Sequence, residues 1–479
     1  MRTGKVGYTL MFFCLCALPL VAGEKPPQPP ASQLEVLKAK LEAQQEQIRH
    51  LQELLRGQAA ALESLQRQLG APRAAELPTA AASPAKVQEP PLEDRVEQLE
   101  QAVAANRNES EKKWKGLGNF SFSGDLRVRY EPFFKDGVPQ RHRQRARFRF
   151  QTVATISKEL SGGFRLTSGP LENPGTTNQS FTGFFTRKTI GLDRFWLTYK
   201  PERTRWLTVT AGKFAYTWHR TELTFDNDLN PEGFSETLSF DISDSPLTNV
   251  TLVGFQLPFN ELSAAGDSFI WGGQVQTHWK LSDRTQLGLY ASGINFRNVD
   301  AVALAIDART LRPSLPLTNS VRRDASGNIL GFSNRFAYLD LIAELNYRLT
   351  PRWPLRLTLN FVNNVRAHSS ERSGYWGKLA VGRTQEEGDW LFGYTLARIE
   401  RDAVIGAFNF DDLRAATNVL NHRLEAFYQV HKNVSLNYTL LVGRLFNPQD
   451  NLNLVPADFQ SRNQDPFLKR MQFDVIYKF

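Results

Sequence analysis

Cysteine is nearly absent. Among 479 residues only Cys14 and Cys16 occur, both inside the apolar run from Tyr8 to Val21. Arg2 and Lys5 precede that run and the small residues Ala22 and Gly23 follow it, the pattern of a secretory signal cut after Gly23. Neither cysteine has before it the small residue that a lipoprotein signal needs. Residues 1–23 are therefore expected to be removed, and the mature chain then has no disulfide, thiol nucleophile or thiolate metal site. Also missing is a second apolar run of the ~18 residues that a membrane helix requires. An export signal with no further helix leaves the periplasm, the outer membrane or the medium.

Chemistry-bearing motifs are scarce too. The Gly162-Gly163 and Gly272-Gly273 pairs lack the Lys-Ser/Thr of a phosphate-binding loop and read as bends in strands. The best acid–base pairing is His219 with Asp226 or Asp228, but no nucleophile accompanies it, and a lone histidine in an aromatic loop is more often structural. Asp226, Asp228 and Glu232 are spaced as in some calcium loops, yet Pro231 and the lack of a glycine at the sixth position depart from the EF-hand pattern. No enzyme activity, catalytic residue, cofactor or metal site is expected. Acidic excess is absent as well: the net charge is +9, or +7 once Arg2 and Lys5 leave with the signal. Such a balance suits nucleic acid, anionic membrane or anionic solutes, and export removes nucleic acid from the choice.

What is present falls into successive regions. A Pro-rich lead (24–33) precedes a segment, 34–70, whose leucines keep a narrow heptad seam. Leu34, Leu41, Ile48, Leu55, Leu62 and Leu69 take a positions, while Leu37, Gln44, Leu51, Gln58 and Leu65 take d positions. A seam this narrow favours a self-associating coiled coil over a helix lying on the protein's own surface, and Gly57 weakens it by ~1 kcal/mol relative to alanine. A Pro/Ala linker (71–91) and a short second heptad segment (92–106) follow.

From Phe120 to Phe479 the period changes to two. Phe120, Phe122, Leu126, Val128 and Tyr130 point one way; Ser121, Ser123, Asp125, Arg127 and Arg129 point the other. The alternation recurs through Trp271–Trp279, Leu339–Arg348 and Val434–Val442, and the ionisable residues on the second face exclude a dry core there. Short connections alternate with long ones such as 169–188, 298–335 and 401–420. The expected fold is an all-β transmembrane antiparallel barrel of about sixteen strands preceded by an α-helical coiled coil; the weak segments near Asp193 and Phe234 leave fourteen or eighteen open.

The chain ends in Met471-Gln472-Phe473-Asp474-Val475-Ile476-Tyr477-Lys478-Phe479, with an aromatic tip that would be a sticky edge in a soluble protein. This ending resembles that of outer-membrane porins, which implies that Phe473, Tyr477 and Phe479 are read by the barrel assembly machinery. Arg141, Arg143, Arg145, Arg147 and Arg149 occupy alternate positions of one strand, opposite Ala146, Phe148 and Phe150 in facing. With Arg127 and Arg129 they are expected to line the pore, either as an anion-attracting wall or as a wall neutralised by carboxylates across the lumen.

The stretch from Lys213 through His219 and Arg220 to Asp226, Asp228, Glu232 and Phe234 occupies the third long loop, which in general porins folds inward to form the constriction. Taken with Ser123–Glu131, the arginine row and Leu192-Asp193-Arg194, it resembles a family of outer-membrane porins that carry an N-terminal periplasmic coiled coil. The Gly124-Asp125-Leu126-Arg127 phrase is also similar to alginate-export barrels. These resemblances imply a channel for small hydrophilic solutes, with a dedicated polysaccharide or solute channel, or an anchor for the coiled coil, as alternatives. The partners implied are outer-membrane lipid, the assembly machinery, two further copies in a homotrimer, and peptidoglycan or another periplasmic partner through the coiled coil.

Overall fold

The computed structural model describes residues 119–261, 266–308 and 317–479. The signal, coiled coil, linker and second heptad segment read from the sequence lie outside the described residues. The first four barrel strands are β1 (Phe120–Lys135), β2 (Val138–Thr155), β3 (Leu160–Ser168) and β4 (Ile190–Tyr199). Then come β5 (Leu207–Lys213), β6 (Glu232–Asp241), β7 (Leu247–Asn260) and β8 (Ser268–Lys280). The second half consists of β9 (Thr285–Arg297), β10 (Ala337–Arg348), β11 (Pro354–Asn364) and β12 (Ser373–Gly382), and finally β13 (Trp390–Ile399), β14 (Val419–His431), β15 (Val434–Leu445) and β16 (Leu468–Lys478). Each strand pairs antiparallel with the next, and β16 pairs with β1, closing a 16-stranded barrel that leaves no edge.

The seam shows how residues dictate closure. Leu126 stands opposite Tyr477, Val128 opposite Val475 and Tyr130 opposite Phe473, so an apolar outward row crosses the join unbroken. Phe479 completes it through its backbone, donating to Gly124 O at 3.1 Å and accepting from Gly124 N at 2.9 Å. Gly124 cannot easily be anything larger, because a Cβ there would lie 2.3 Å from Arg149 O and 2.6 Å from the Phe479 ring.

The outward side chains of β1, β4 and β16 are mostly exposed apolar groups; inward, Asp125, Arg127, Arg129 and Glu131 of β1 and Arg470, Gln472 and Asp474 of β16 are polar and buried, while the inward residues of β4 are half-buried. Seven turns of two to seven residues lie at one end, from 156–159 to 432–433. Aromatics crowd this rim: Trp206 stacks with Phe240 at 5.9 Å, Trp390 with Phe392 at 5.6 Å, and Tyr477 with Phe479 at 5.9 Å. Such a belt suits a membrane interface. The opposite end carries the long connections 169–189, 214–231, 298–336, 400–418 and 446–467. One connection at that end differs from the sequence reading: β1 and β2 join through Asp136-Gly137 alone. The two strands, 16 and 18 residues long, continue as a hairpin instead, and Gly137 supplies the left-handed turn residue with φ 72°.

The lumen is not uniformly polar. On the β7–β15 side the inward residues nearest the long-loop end include Phe255, Ile294, Tyr338, Val362 and Ile399, and they are buried against Phe214, Trp218, Leu223 and Phe225 of 214–231 and Ile405 and Phe408 of 400–418. Phe255 stacks on Trp218 at 4.1 Å. Full burial of such a side chain is worth ~1.5–3 kcal/mol, so the two loops are held inside by a dry core.

Candidate functional site: the arginine wall and its loops

Register builds the wall. Across the β1–β2 ladder Asp125 faces Arg149, Arg127 faces Arg147, Arg129 faces Arg145, Glu131 faces Arg143 and Phe133 faces Arg141. On the other side of β1, Asp474 of β16 faces Arg129 and Arg470 faces Phe133. Directly opposed like charges are unfavourable, and carboxylates relieve them: Arg149 and Arg143 pair with the acids directly opposite on β1, Arg147 reaches Asp125 diagonally, and Arg129 and Arg470 pair across the β1–β16 join. Arg129 makes a two-pronged pair with Asp474 (Nε–Oδ1 2.6 Å, Nη2–Oδ2 2.8 Å). Asp125 is forked between Arg147 (2.8 Å) and Arg149 (2.6 Å). Glu131, fully buried, is shared by Arg143 and Arg470, each at 2.6 Å through Nε. Arg141 sits exposed at the long-loop end with its guanidinium 5.4 Å from the Phe133 ring centre.

The carboxylates nearest the arginines thus stand on the same wall. Sequence reading looked for them across the lumen and omitted Asp125, Glu131 and Asp474 from the site. All three lie on the polar face of their strands, so pairing the last strand with the first in register is the signal that would have found them.

The loop 214–231 leaves β5 and rejoins β6 at Gly212 and Gly233, which face each other with φ 112° and 135°. A Cβ on either would come within 2.3 Å of a neighbouring strand's carbonyl, so the kink that turns the loop inward depends on glycine here. Lys213 and Glu232 pair across the loop's base at 2.5 Å. Arg220 braces the loop, lying 4.0 Å over Tyr216 and donating to Phe225 O at 2.6 Å. His219 reaches the far side, stacking on Tyr290 at 4.0 Å and exchanging backbone bonds of 2.8 and 2.7 Å with Gln274. Burial pushes its imidazole below the usual value, and Glu344 at 3.8 Å only partly opposes this. Glu222 anchors the loop to Arg423 of β14 at 2.6 Å.

The three acids Asp226, Asp228 and Glu232 have separate duties. Asp226 accepts from the backbone N–H of Asp228 at 2.8 Å and of Asp411 at 3.0 Å, joining the two inward loops. Asp228 accepts twice from Thr177 at 3.0 Å and touches Arg149 at 3.8 Å, and Glu232 has Lys213. Among the described residues no cluster of three or more metal-ligating side chains forms.

The loop 400–418 is the element that sequence reading gave no role. It is anchored by Asp402, which accepts from Ser320 and Asn334 at 2.8–3.0 Å, and it delivers Asp412 to the wall. Asp412 contacts Arg129 at 3.4 Å, Gln472 at 2.9 Å and Arg470. Burial alone would raise this carboxyl's pKa, but Arg470, Arg129 and Arg145 together hold it well below the usual range. The wall therefore already binds a carboxylate, one carried by the protein itself.

No curated protein matches the chain. Among solved structures the barrel is similar to OprB of Pseudomonas putida, at 12% identity over 79% of this chain and 97% of that one, with a TM-score of 0.47. It is similar to the outer-membrane protein OmpT of Vibrio cholerae in a trimer form, at 8% identity over 75% and 99% of the two chains with a TM-score of 0.42. An anion-selective porin from Comamonas acidovorans matches at 9% identity over 75% and 99%, also with a TM-score of 0.42. Residues 131–323, which carry the arginine row and the loop 214–231, match the model of the family described as "Putative porin".

Proposed function

We propose that the protein is an outer-membrane channel for small hydrophilic solutes that prefers anions, working as a homotrimer. The carrying observation is the charge count of the wall. Eight guanidinia, at 127, 129, 141, 143, 145, 147, 149 and 470, stand on the wall with five carboxylates, those of Asp125, Glu131, Asp228, Asp412 and Asp474, which touch all of them but Arg127 and Arg141. Arginine does not deprotonate in this setting. The surplus acts on any ion within the ~8 to 10 Å screening distance at physiological salt, a length comparable with the bore beside an inward loop. The lipid-facing rows and aromatic rim support residence in the membrane, and the resemblance to trimeric porins supports the subunit number.

A dedicated channel for one solute is the second reading. It is favoured by a cavity of about 310 Å³ at the long-loop end, lined by Tyr216, Trp218, Phe225, Phe259 and Phe408, which is more apolar than ion passage requires. Single-channel recording in planar bilayers tests both. Arg145→Glu with Arg147→Glu should shift the reversal potential under a tenfold salt gradient toward cations. An unshifted potential would remove the wall from the conduction path, and conductance that saturates with one solute alone would favour the dedicated channel.

A further inference from the structure

One guanidinium of the wall differs from its neighbours. Arg127 is buried (9% exposed), yet among the described residues no carboxylate lies within 4 Å of it. Its Nη2 donates to Asn178 Oδ1, and its Nε finds no acceptor. Across the strands it meets Arg147 on one side and Ile476 on the other, a like charge and a hydrocarbon. The segment facing it, Thr176-Thr177-Asn178 of the connection 169–189, is neutral. Thr176 Oγ1 accepts from Arg145 Nη2 at 3.3 Å and from Asn178 Nδ2 at 3.2 Å, so the cap is polar and organised but carries no charge.

A buried guanidinium stays ionised, and leaving it uncompensated is costly unless a counter-charge is supplied. At the other guanidinia of this wall, the exposed Arg141 apart, the chain supplies one, from the same strands or, at Arg129 and Arg470, through the loop carboxylate of Asp412. At Arg127 the contact it supplies is an amide, and the carboxylates of Asp228 and Asp474 act only from farther off. We propose that Arg127, capped by Asn178 and flanked by Arg145 and Arg147, is a binding site for one small oxyanion, the carboxylate or phosphate group of a passing solute. The proposal rests on the channel reading above and deepens it, placing on the wall a stopping point where anions bind before moving on.

The site makes Asn178→Asp the informative variant. A carboxylate at 178 would stand where Asn178 Oδ1 already meets Arg127, fill the site from within and spare the barrel any loss of stability. The test is calorimetric titration of inorganic phosphate, and separately of formate, into the detergent-folded full chain. Wild type should bind one anion per chain. Arg127→Gln and Asn178→Asp should each weaken binding by about tenfold or more, the loss of one charge-assisted hydrogen bond, whereas Lys158→Gln in the exposed short turn 156–159 should bind as wild type does. No binding by wild type, or wild-type binding by Asn178→Asp, overturns the site. Reversal potentials on the same samples separate the two readings: anion preference without calorimetric binding sinks the site and keeps the channel, while binding without anion preference keeps the site and sinks the channel.

Discussion

Asp412→Asn tests whether the loop 400–418 is clasped to the wall by charge. The substitution preserves shape and one acceptor oxygen but turns an NH2 group toward a guanidinium. Arg129 would keep its two-pronged pair with Asp474 and Arg470 would keep Glu131. Removing one partner of a buried ion pair costs ~3–5 kcal/mol, and because both arginines retain a second carboxylate the loss belongs near ~3 kcal/mol. That corresponds to about a hundredfold rise in the open population of the loop. Arg414, two residues on, is buried and bonded to Leu454 O at 2.6 Å in the closed loop, so tryptic cleavage after it reports opening. Cleavage of the folded variant should accelerate by about that factor while the barrel stays SDS-resistant. The acid dependence follows from the sign of the shift. The clasp's stabilisation is present above the carboxyl's ordinary value of 3.8 and fades only as pH falls through its lower folded value, so wild-type protection should be the same at pH 5 as at pH 7. Unchanged cleavage in Asp412→Asn would mean that the dry core holds the loop and that the ionic contact is incidental.

Deleting Phe479 removes two backbone hydrogen bonds to Gly124 and an aromatic tip. Outer-membrane assembly in cells should fall far more than folding yield in detergent, and equal losses would reduce the residue to packing. Gly124→Ala pushes a methyl into Arg149 O and the Phe479 ring, so the heat-induced shift in gel mobility should move to a lower temperature than in wild type; an unchanged transition would show that the seam has slack.

The barrel was legible where the two faces of a strand differ in polarity. In β1 the row Leu126, Val128, Tyr130 against Asp125, Arg127, Arg129 fixes both the strand and its facing. It was least legible near Asp193 and Phe234, and the structure gives the reasons. A bulge in the β3–β4 ladder at Arg165/Leu166 breaks strict alternation, letting both Asp193 and Arg194 reach Asn230, at 2.8 and 2.6 Å. On β6, Glu236 shares the facing of Phe234 and Leu238 and bonds Gln256 at 3.3 Å, placing polar groups on what is otherwise the lipid side. The dry half of the lumen was hidden for another reason. In β7 both Leu252 and Val253 are apolar, and periodicity reports that faces alternate without saying which is inside when both are oily. The loop 400–418 gave no periodic signal, because what places it is contact between residues far apart in sequence, such as Asp412 with Arg129.

The two halves of the lumen depend on each other. An ionic network in open water contributes little, since solvent and salt screen each pair. Here the loops that seal the apolar side also lie over the wall: Asp226 ties 214–231 to 400–418, Asp228 touches Arg149, and Asp412 touches Arg129 and Arg470. Excluding water from beside the guanidinia lowers the local dielectric, which strengthens every pair that is made and makes an unmatched charge more costly. Burying apolar loop residues on one side therefore raises the demand for a counter-anion on the other. A porin lumen that was merely wet would satisfy Arg127 with solvent; one packed on its far side, with a neutral amide at 178, turns the same residue toward an anion.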